Sequence, residues 1–475
     1  MSWTRREFLA GAAVGTGVGA AAAVLPRRLL DDPARPPDLY EYFVDSYWFE
    51  SSGLRDEPLR PPLRADVKAD VAIVGGGFTG LATAIEIARR QPGRRVLVLE
   101  GARCGYGASG RNGGFADVMY PGLAAFVEAR GPEAGRQVYD AIGTGLRAIE
   151  RLTREDGVAC DLQHTGSVRM ASSDAQIRAL EQAHATLVAL GVEARLVDGA
   201  ELRALVHTDR FRAGLVAPDT AILDPGKLAR GMARVAASLG VGIHEATRVV
   251  RIEPGRPIRI EAERGRVEAA QAVLATNGYT PQLGILATRL LPLCNYVVAT
   301  EPLSKAQWDA IGWAGRQGLS DARVLFMYLR TTADGRIVAG GEMAPYFTDS
   351  RPSSGNYAPA IEKLERSLLE TFPQLEDIHF THAWGGTMAF TRDFTPRIGT
   401  LGDHGNLFFG LGYCGEGVVM SQLAGRILAA FVAGEAEAFA ALPFVGGVPP
   451  WVGIEPLRSL GVKGMEAALR ALAGE

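Results

Sequence analysis

The strongest hydrophobic pattern in the chain runs from Lys68 to Gly114. An apolar run at residues 71–74 stops at three successive glycines, and apolar residues then recur at helical spacing as far as residue 88. A second apolar run, residues 96–99, ends in an acidic residue. This order predicts a buried strand, a tight turn, a helix and a second strand. A Rossmann-like α/β domain begins in this way.

Apolar periodicity in the rest of the chain alternates between helix and strand. Asp334 and Gly335 interrupt one strand pattern and predict a hairpin turn at that point. The strand and helix patterns between residues 163 and 190 mark the start of a second domain. The predicted helices cover residues 123–153, 174–190, 359–372 and 420–432, and the predicted strands cover residues 163–172, 290–300, 324–341 and 379–391. A helix followed by a strand is predicted within residues 221–253, and a further strand within residues 267–280.

Three glycines at the first turn form the most specific motif of the opening segment. Gly75, Gly77 and Gly80 have the G-x-G-x-x-G spacing, in which the first glycine allows the bend, the second lets a pyrophosphate approach the backbone, and the third lets the helix pack on the strand. The helix N-terminus then presents amide groups to the diphosphate. Glu100 stands about 20 residues further on, where an acid accepts hydrogen bonds from a ribose diol. The alternative is a structural turn in some other α/β unit, and the glycines alone do not distinguish FAD from NAD.

A second glycine-rich loop, GASGRNGG at residues 107–114, follows the second strand. With this loop the sequence resembles the D-amino acid oxidase superfamily of flavoproteins, and most closely the branch that contains gamma-glutamylputrescine oxidase and related amine oxidases. The resemblance covers roughly residues 40–460. Four later stretches fit the family in order: VLATNGYT at 273–280, YLRTTADGRIVAGG at 328–341, WGGTMAFTRDFTPRIG at 384–399 and GLGYCGEGV at 410–418.

The resemblance implies a fold of class α/β with two domains. One is a Rossmann-like, glutathione-reductase-like FAD-binding domain, and the other is an α+β substrate domain built on an antiparallel sheet. The implied boundaries assign residues 65–155, 220–285 and 395–440 to the FAD-binding domain and residues 156–219 and 286–394 to the substrate domain, with residues 441–475 as a C-terminal extension.

The same resemblance implies which residues bind FAD. In this family the two glycine loops, the strand at residues 247–250, the ATNG turn and the start of the last helix all approach the cofactor. The implied FAD-binding residues are Gly75, Gly77, Phe78, Thr79, Gly80, Glu100, Gly107, Ala108, Ser109, Arg111, Asn112, Gly113, Gly114, Val249, Thr276, Asn277, Gly278, Gly412, Gly415, Glu416, Gly417 and Val418.

Four residues are predicted to act on the substrate side of the cofactor. Tyr328 and Arg330 are two apart, so both side chains point to one face of a strand, where this branch has a Tyr/Arg pair directed at the cofactor cavity. An ordinary surface charge is the alternative for Arg330. Trp384 is expected either to pack against the flavin ring or to join the core. Tyr413 stands in a glycine loop with no core to join.

The sequence departs from the family at two places. Many relatives have Ser and His where this chain has Cys414 and Glu416, so a carboxylate near the flavin would favour cationic, polyamine-like substrates. The alternative is that Glu416 turns to solvent and interacts with the helix dipole. Relatives similar to monomeric sarcosine oxidase tether FAD through a cysteine where this chain has Gly386 and Thr387. We therefore expect FAD to be bound without a covalent link.

Composition and charge narrow the partners. The chain has 475 residues and a net charge of -3 without runs of like charge, so it lacks the basic footprint of a nucleic-acid-binding protein. We expect a small-molecule partner instead. The four cysteines are widely spaced and the seven histidines form no H-E-x-x-H motif. His379 and His382 are three apart on a predicted strand, facing opposite sides, so no metal site is predicted.

The N-terminus carries a targeting pattern. Arg5 and Arg6 precede a small-residue apolar segment that ends near residue 25. This resembles a twin-arginine export signal and predicts a protein that folds, with its cofactor, before it is exported to the periplasm or beyond. A frayed amphipathic N-terminus is the alternative. Residues 1–28 are interpreted as the signal, and residues 29–64 as a linker and an aromatic packing arm.

Together these patterns predict a FAD-dependent enzyme that oxidises an amine or amino acid at its C–N bond to an imine, with oxygen as the electron acceptor. One alternative is a dehydrogenase of the same fold that passes electrons to a quinone or carrier protein. Another is a flavin-binding module without turnover. The sequence does not identify the amine or the oligomeric state.

Overall fold

The computed structural model describes residues 46–351 and 357–473. The predicted export signal, the linker and the first part of the aromatic arm lie outside these residues. The helices, in chain order, are α1 (Tyr47–Ser51), α2 (Phe78–Arg90), α3 (Leu123–Arg130), α4 (Pro132–Arg154), α5 (Asp174–Ala189), α6 (Gly199–Leu205), α7 (Pro225–Ser238), α8 (Lys305–Ile311), α9 (Ala358–Thr371), α10 (Gly417–Ala433) and α11 (Leu457–Ala473). The strands are β1 (Val67–Val74), β2 (Val96–Leu99), β3 (Phe115–Asp117), β4 (Ser167–Ala171), β5 (Arg195–Asp198), β6 (Ala213–Ala217), β7 (Thr220–Ile222), β8 (Gly242–His244), β9 (Val249–Glu253), β10 (Ile258–Ala262), β11 (Gly265–Leu274), β12 (Leu291–Thr300), β13 (Gly318–Asp321), β14 (Met327–Thr331), β15 (Ile337–Gly341), β16 (Phe380–Phe390), β17 (Arg397–Leu401) and β18 (Leu407–Leu411).

The first sheet has eight strands and a parallel centre. Its main order is β17-β18-β11-β1-β2-β8, in which β17 is antiparallel to β18 and the other neighbours are parallel. β9 and β10 extend the sheet as an antiparallel pair on β11. β2 and the second half of β1 are buried, as expected for parallel strands covered on both faces. The predicted Rossmann-like opening of the chain is confirmed.

The second sheet also has eight strands, in the order β16-β12-β15-β14-β13-β4-β6-β5. All neighbouring strands are antiparallel except β13 and β4. One face packs into a separate hydrophobic core that includes Trp313, Phe347 and Phe372. The mixed α/β fold with a largely antiparallel second sheet agrees with the predicted fold class.

A short two-stranded sheet joins the two large sheets. It consists of β3 and β7, which are antiparallel. β7 packs against β13 of the second sheet. β3 packs against α10, the helix that follows β18 of the first sheet. Side chains on this short sheet therefore lie where the two large sheets meet.

Two local features differ from or sharpen the sequence prediction. The single helix predicted over residues 123–153 is broken into α3 and α4 at Gly131, which has a φ of 85°. Pro132 follows, and because proline lacks an N–H group it can begin a helix but cannot continue one. The hairpin turn predicted at Asp334 and Gly335 is confirmed, since it joins β14 to β15.

None of the helices in the described residues is long and apolar enough to cross a membrane.

Candidate active site

A cleft opens at the carboxyl ends of β1, β2 and β11, between the N-termini of α2 and α10. Ligands of open α/β sheets bind at this edge of the sheet. Most of the residues predicted to bind the cofactor line the cleft. They are Gly75, Gly77, Phe78, Thr79, Glu100, Gly107, Ala108, Ser109, Asn112, Val249, Thr276, Asn277, Gly278, Gly415, Gly417 and Val418, together with Tyr413.

The turn after β1 has the conformation that the glycine motif predicts. Gly75 has a φ of 108°, and a Cβ atom there would lie 2.6 Å from the carbonyl oxygen of Ala275. A Cβ atom on Gly80 would lie 1.9 Å from the carbonyl oxygen of Gly75. Both positions therefore require glycine, and Gly80 contributes by close packing of α2 on the turn, not by lining the cleft.

Glu100 is held with its carboxylate beside this turn. Its Oε2 accepts a hydrogen bond from the Gly76 amide at 2.7 Å, and its Oε1 accepts one from the Ala102 amide at 2.9 Å. The pKa of this carboxyl is raised to about 7, mainly by burial and also by the nearby Glu245, while the two amides oppose the shift. The carboxylate is oriented by the backbone and has further lone pairs for the hydroxyl groups of a ligand.

Two helix N-termini point into the cleft. Gly77 is the N-cap residue of α2, and Gly417 and Val418 begin α10. The Phe78 amide donates to Ser109 Oγ at 2.9 Å, which ties the second glycine loop to α2. The first amides of a helix have no acceptor within the helix and carry a partial positive charge. The cleft is therefore suited to a ligand with negative charge near both of these points.

Hydrogen bonds connect the loops at the end of the cleft near α10. Tyr413 is 5% exposed, and its hydroxyl lies 2.8 Å from Thr79 Oγ1, so the loop before α10 is fastened to α2. The Gly412 amide donates to Asn277 Oδ1 at 3.0 Å, which fastens the same loop to the ATNG turn. Gly412 has a φ of 75° and does not line the cleft.

The model of the DAO family, FAD dependent oxidoreductase, matches residues 70–431, well over half of the chain. The chain belongs to the DAO family. This flavoenzyme is 30% identical to the probable oxidoreductase OrdL of Haemophilus influenzae over 410 residues, which cover 84% of this chain and 90% of the relative. It is also 30% identical to the gamma-glutamylputrescine oxidoreductase of Escherichia coli, over 81% of this chain and 90% of the relative.

Solved structures show the same fold. The crystal structure of glycine oxidase from Geobacillus kaustophilus matches with a TM-score of 0.69 and 20% identity, over 81% of this chain and 100% of that chain. The DAO family protein described here is therefore an FAD-dependent oxidoreductase, and FAD is its cofactor.

The cleft of this flavoenzyme fits FAD from one end to the other. Glu100 has the acceptors for a ribose diol, the N-terminus of α2 suits the diphosphate, and the N-terminus of α10 suits the electron-rich pyrimidine edge of a flavin. Val249 and the neighbouring Arg248 line the end near Glu100. The two glycine loops supply the close backbone approach that a dinucleotide needs.

The last two glycines of the second loop pack against the sheet instead of lining the cleft. A Cβ atom on Gly113 would lie 2.5 Å from the ring of Tyr328. A Cβ atom on Gly114 would lie 2.2 Å from the Leu223 carbonyl oxygen and 2.5 Å from Arg330 Nη1. Both were predicted to bind the cofactor, and neither lines the cleft; the absence of a side chain lets the loop lie directly on Tyr328 and Arg330.

Arg330, predicted to face the substrate, is buried and bonded within the protein and does not line the cleft of the described residues. Its side chain is 2% exposed, and its Nε donates to the Thr331 carbonyl oxygen at 2.8 Å while its Nη1 donates to that of Leu223. The guanidinium also lies over the ring of Trp48, 5.1 Å from the centroid. Burial lowers its pKa to about 10. This arginine holds β14 to the segment after β7 and to the aromatic arm.

Trp384 and Arg111 also lie outside the cleft. Trp384 is fully buried, its Nε1 donates to the Arg111 carbonyl oxygen at 2.9 Å, and it packs edge-on against Trp48. Arg111 is 2% exposed and donates to the carbonyl oxygens of Tyr106 and Gly385 at 2.9 and 3.1 Å. The core alternative for Trp384 is the one observed, and Arg111 links the loop to Tyr106 and Gly385 without lining the cleft.

Tyr328 lies on the face of the second sheet that turns toward the cofactor loops. Its ring is covered by Gly113 and packs edge-on against Phe115 at 5.5 Å between centroids. Its hydroxyl is 3.5 Å from Asn295 Oδ1, a long hydrogen bond. Burial raises the pKa of the phenol, which therefore stays protonated. Tyr328 belongs to the wall beside the cleft, although it does not line the cleft itself.

Glu416 is the N-cap residue of α10, half-buried between two glycines that line the cleft. Its side chain does not line the part of the cleft formed by the described residues. Its pKa is raised to about 7, mainly by burial and also by the charge of Asp117, while Arg169 opposes the shift. Neither reading of Glu416 from the sequence foresaw Asp117 and Arg169 as its neighbours.

Sequence reasoning also missed residues that line the cleft. Tyr279 lies within the quoted stretch VLATNGYT and could have been found there. Nothing in the sequence marked Tyr106 or Gln282 as lining residues. Thr387 and Met388 line the cleft next to the place of the family's tethering cysteine. Cys414 lines it as well, and burial raises the pKa of its thiol to about 12.

Proposed function

We propose that this flavoenzyme oxidises the C–N bond of a small-molecule amine or amino acid to an imine and uses molecular oxygen as the electron acceptor. The observation that carries the proposal is the placement of the cleft. Its end at Tyr413 and the N-terminus of α10 adjoins the second sheet, on the face that carries Tyr328. The gamma-glutamylputrescine oxidoreductase of Escherichia coli, similar over most of its length, supports an amine as substrate.

FAD, when bound in the cleft, would supply the redox chemistry as the acceptor of a hydride from the carbon beside the amine nitrogen. The protein's own residues position and desolvate the substrate. The sheet face around Tyr328 is apolar and half-buried, so it favours the neutral amine, which has the free electron pair that oxidation requires. Amides at the start of α10 stabilise negative charge at the end of the cleft. The imine product then reacts with water to give a carbonyl compound and a free amine or ammonia.

Anaerobic reduction tests the proposal. The purified holoenzyme is mixed without oxygen with a panel of primary amines, secondary amines, polyamines and amino acids, and the loss of flavin absorbance is followed. Bleaching by at least one amine supports the proposal, and no bleaching across the panel contradicts it. Hydrogen peroxide formed on re-aeration identifies an oxidase. Bleaching without peroxide, but with reoxidation by a quinone, identifies the dehydrogenase alternative.

We also propose that FAD is bound without a covalent link. Gly386 and Thr387 stand where related enzymes have the tethering cysteine. The raised pKa of the buried Cys414 thiol keeps it protonated and unreactive. Acid precipitation should release all of the flavin into the supernatant. Yellow colour in the pellet would contradict the proposal and would make Cys414→Ala the next variant to examine.

We propose export by the twin-arginine route on the pattern of residues 1–28, which lie outside the described residues. A reporter fused behind these residues should reach the periplasm of a bacterial host, and replacement of Arg5 and Arg6 by lysine should block this. Export that persists in the double variant, or no export at all, would contradict the proposal.

A further inference from the structure

The described part of the aromatic arm, residues 46–57, lies directly against the second glycine loop. Ser46 Oγ donates a hydrogen bond to the carbonyl oxygen of Gly110 at 2.6 Å. Trp48 Nε1 donates to the carbonyl oxygen of Asn112 at 2.8 Å. Neither Ser46 nor Trp48 lines the cleft formed by the described residues. The arm therefore binds the backbone of a cofactor loop without reaching the cofactor cleft itself.

Three successive carbonyl groups of the loop accept hydrogen bonds from donors outside it. Between the two that the arm binds, the carbonyl oxygen of Arg111 accepts from Trp384 Nε1 at 2.9 Å. These donors hold the three carbonyl oxygens toward the arm and the second sheet. A carbonyl oxygen turned into the cleft would instead repel the diphosphate of the cofactor. The loop residues that line the cleft are Gly107, Ala108, Ser109 and Asn112.

The arm is itself fastened to parts of the protein other than this loop. Ser51 Oγ donates at 2.5 Å to Asp224 Oδ2, on the N-cap residue of α7. The Tyr47 hydroxyl donates at 2.7 Å to Asp334 Oδ1, in the turn that joins β14 to β15. The loop is therefore held against a surface that is anchored independently of it.

The contact between the arm and the loop is buried. Ser46, Trp48 and Phe49 are each 1% exposed, and the ring of Phe49 packs 5.9 Å from that of Tyr106, which lines the cleft. A buried carbonyl oxygen that loses its donor cannot easily replace it with water, so breaking such a bond costs more than breaking an exposed one. Loop conformations without the bonds to Ser46 and Trp48 are therefore disfavoured.

We propose that Trp48 and Ser46 are positioning residues for FAD, which hold the second glycine loop in the conformation that binds the cofactor. A loop already held in this conformation loses less conformational freedom when FAD binds, so the affinity is higher. Because the coupling between two binding equilibria is reciprocal, bound FAD also stabilises the docked arm. The inference concerns the cofactor and is independent of which substrate is oxidised.

The arm supplies its own matched control. Trp48→Phe removes the N–H group that binds the loop and keeps an aromatic ring. Tyr47→Phe removes the hydroxyl group that binds Asp334, so it also costs the arm one hydrogen bond, but one that does not reach the loop. A role of the arm in stability alone predicts that the two variants behave alike toward FAD.

Titration of the apoproteins with FAD, followed by flavin fluorescence, measures the difference. We expect the Kd for FAD to rise about fivefold in Trp48→Phe, the size of one neutral hydrogen bond. The Kd should stay at the wild-type value in Tyr47→Phe. The melting temperature of each apoprotein, measured beside the Kd, shows how far each variant loses stability without the cofactor.

Ser46→Ala tests the same role with a smaller change, since it removes a single hydroxyl group, and it keeps the proposal open to refutation if Trp48→Phe does not fold. Its Kd for FAD should also rise, by about threefold to tenfold. A rise in the variants at Trp48 and Ser46 without a rise in Tyr47→Phe supports the proposal. An unchanged Kd in the variants at Trp48 and Ser46, or an equal rise in Tyr47→Phe, would overturn it.

Hydrogen exchange of the wild-type protein tests the reciprocal effect. The amides of Phe49, Ser52 and Gly53 donate to carbonyl oxygens within the arm. FAD should slow their exchange about fivefold or more relative to amides of α9, which packs on the separate core of the second sheet. Trp48→Phe should reduce this protection. Exchange in the arm that is no more sensitive to FAD than exchange in α9 would show that the arm serves stability alone.

Discussion

Arg330 and Arg169 lie on the same face of the same sheet, since Arg169 pairs through Ser320 with Tyr328, yet their surroundings differ. Arg330 is covered by the second glycine loop and the aromatic arm, and backbone carbonyl oxygens accept its N–H groups. Arg169, two strands away, faces the junction of the short sheet with α10 and has no partner in the described residues. The sequence suggested Arg330 as the substrate-facing arginine. The elements that cover the side chain, and not its residue type or its face, decide how many hydrogen bonds an arginine makes within the protein.

The same contrast extends to the cofactor cleft. Trp384 Nε1 and the Nε and Nη1 atoms of Arg111 donate to carbonyl oxygens within the protein. Glu100 is oriented by two amides but keeps lone pairs that face the cleft. Replacing a group whose hydrogen bonds lie within the protein should lower folding stability. Replacing a group with unused hydrogen-bond donors or acceptors should weaken ligand binding. Each of the following predictions tests one side of this division.

The largest expected effect is the loss of folding stability in Arg330→Met. Two buried carbonyl oxygens would lose their donors, which should lower the free energy of unfolding by on the order of 4 kcal/mol. Arg169→Met removes no side-chain hydrogen bond within the described residues and should lower it by clearly less. Urea unfolding of both holoproteins measures the two values. Similar losses in the two variants would remove the distinction between the arginines.

Replacement of Glu100 should act on cofactor binding. Glu100→Ala removes the acceptor for two ribose hydroxyl groups, and each charge-assisted hydrogen bond contributes about 1.5–3 kcal/mol. We expect the Kd for FAD to rise at least about a hundredfold. Titration of the apoprotein by flavin fluorescence gives the Kd. Glu100→Gln keeps the shape but not the charge, so its Kd for FAD should lie between those of the wild type and Glu100→Ala. An unchanged Kd in Glu100→Ala would exclude the ribose contact.

The pKa of Glu100 predicts how FAD affinity depends on pH. The carboxyl of the free protein titrates near 7, and hydroxyl donors from the ribose favour its ionised form, so binding lowers this pKa. Affinity should therefore be highest above pH 7 and fall by up to about tenfold per unit as the pH drops below 7. FAD titrations at several pH values test this. The dependence should vanish in Glu100→Gln, and its persistence there would assign it to another group.

The smallest expected effect concerns the link between Tyr413 and Thr79. Both side chains are buried, and their hydroxyl groups bind each other. Tyr413→Phe should cost about 1 kcal/mol of stability, and so should Thr79→Val. The double variant should lose much less than the sum of the two, since the first substitution already removes the bond. Additive losses in thermal unfolding would mean that the two hydroxyl groups are stabilised separately.

The sequence alone determined the cofactor half of this protein. The glycine spacing at Gly75, the acid at Glu100 and the apolar runs beside them predicted a strand, a turn and a helix that the structure shows, because those features depend on local backbone geometry and on distances of a few residues along the chain. The order of the family motifs likewise predicted most of the cleft lining. The strand period of two likewise predicts that Tyr328 and Arg330 share one face of β14.

Only the tertiary structure decided the roles of the remaining side chains. Gly113 and Gly114 read as part of a cofactor loop, but their close approach to Tyr328 and Arg330 depends on how that loop lies on a distant sheet. Arg169 carried no motif, and its proximity to Asp117 and Glu416 arises where three elements far apart in sequence meet. Burial and hydrogen-bond partners are properties of that packing. No pattern along the chain contains them.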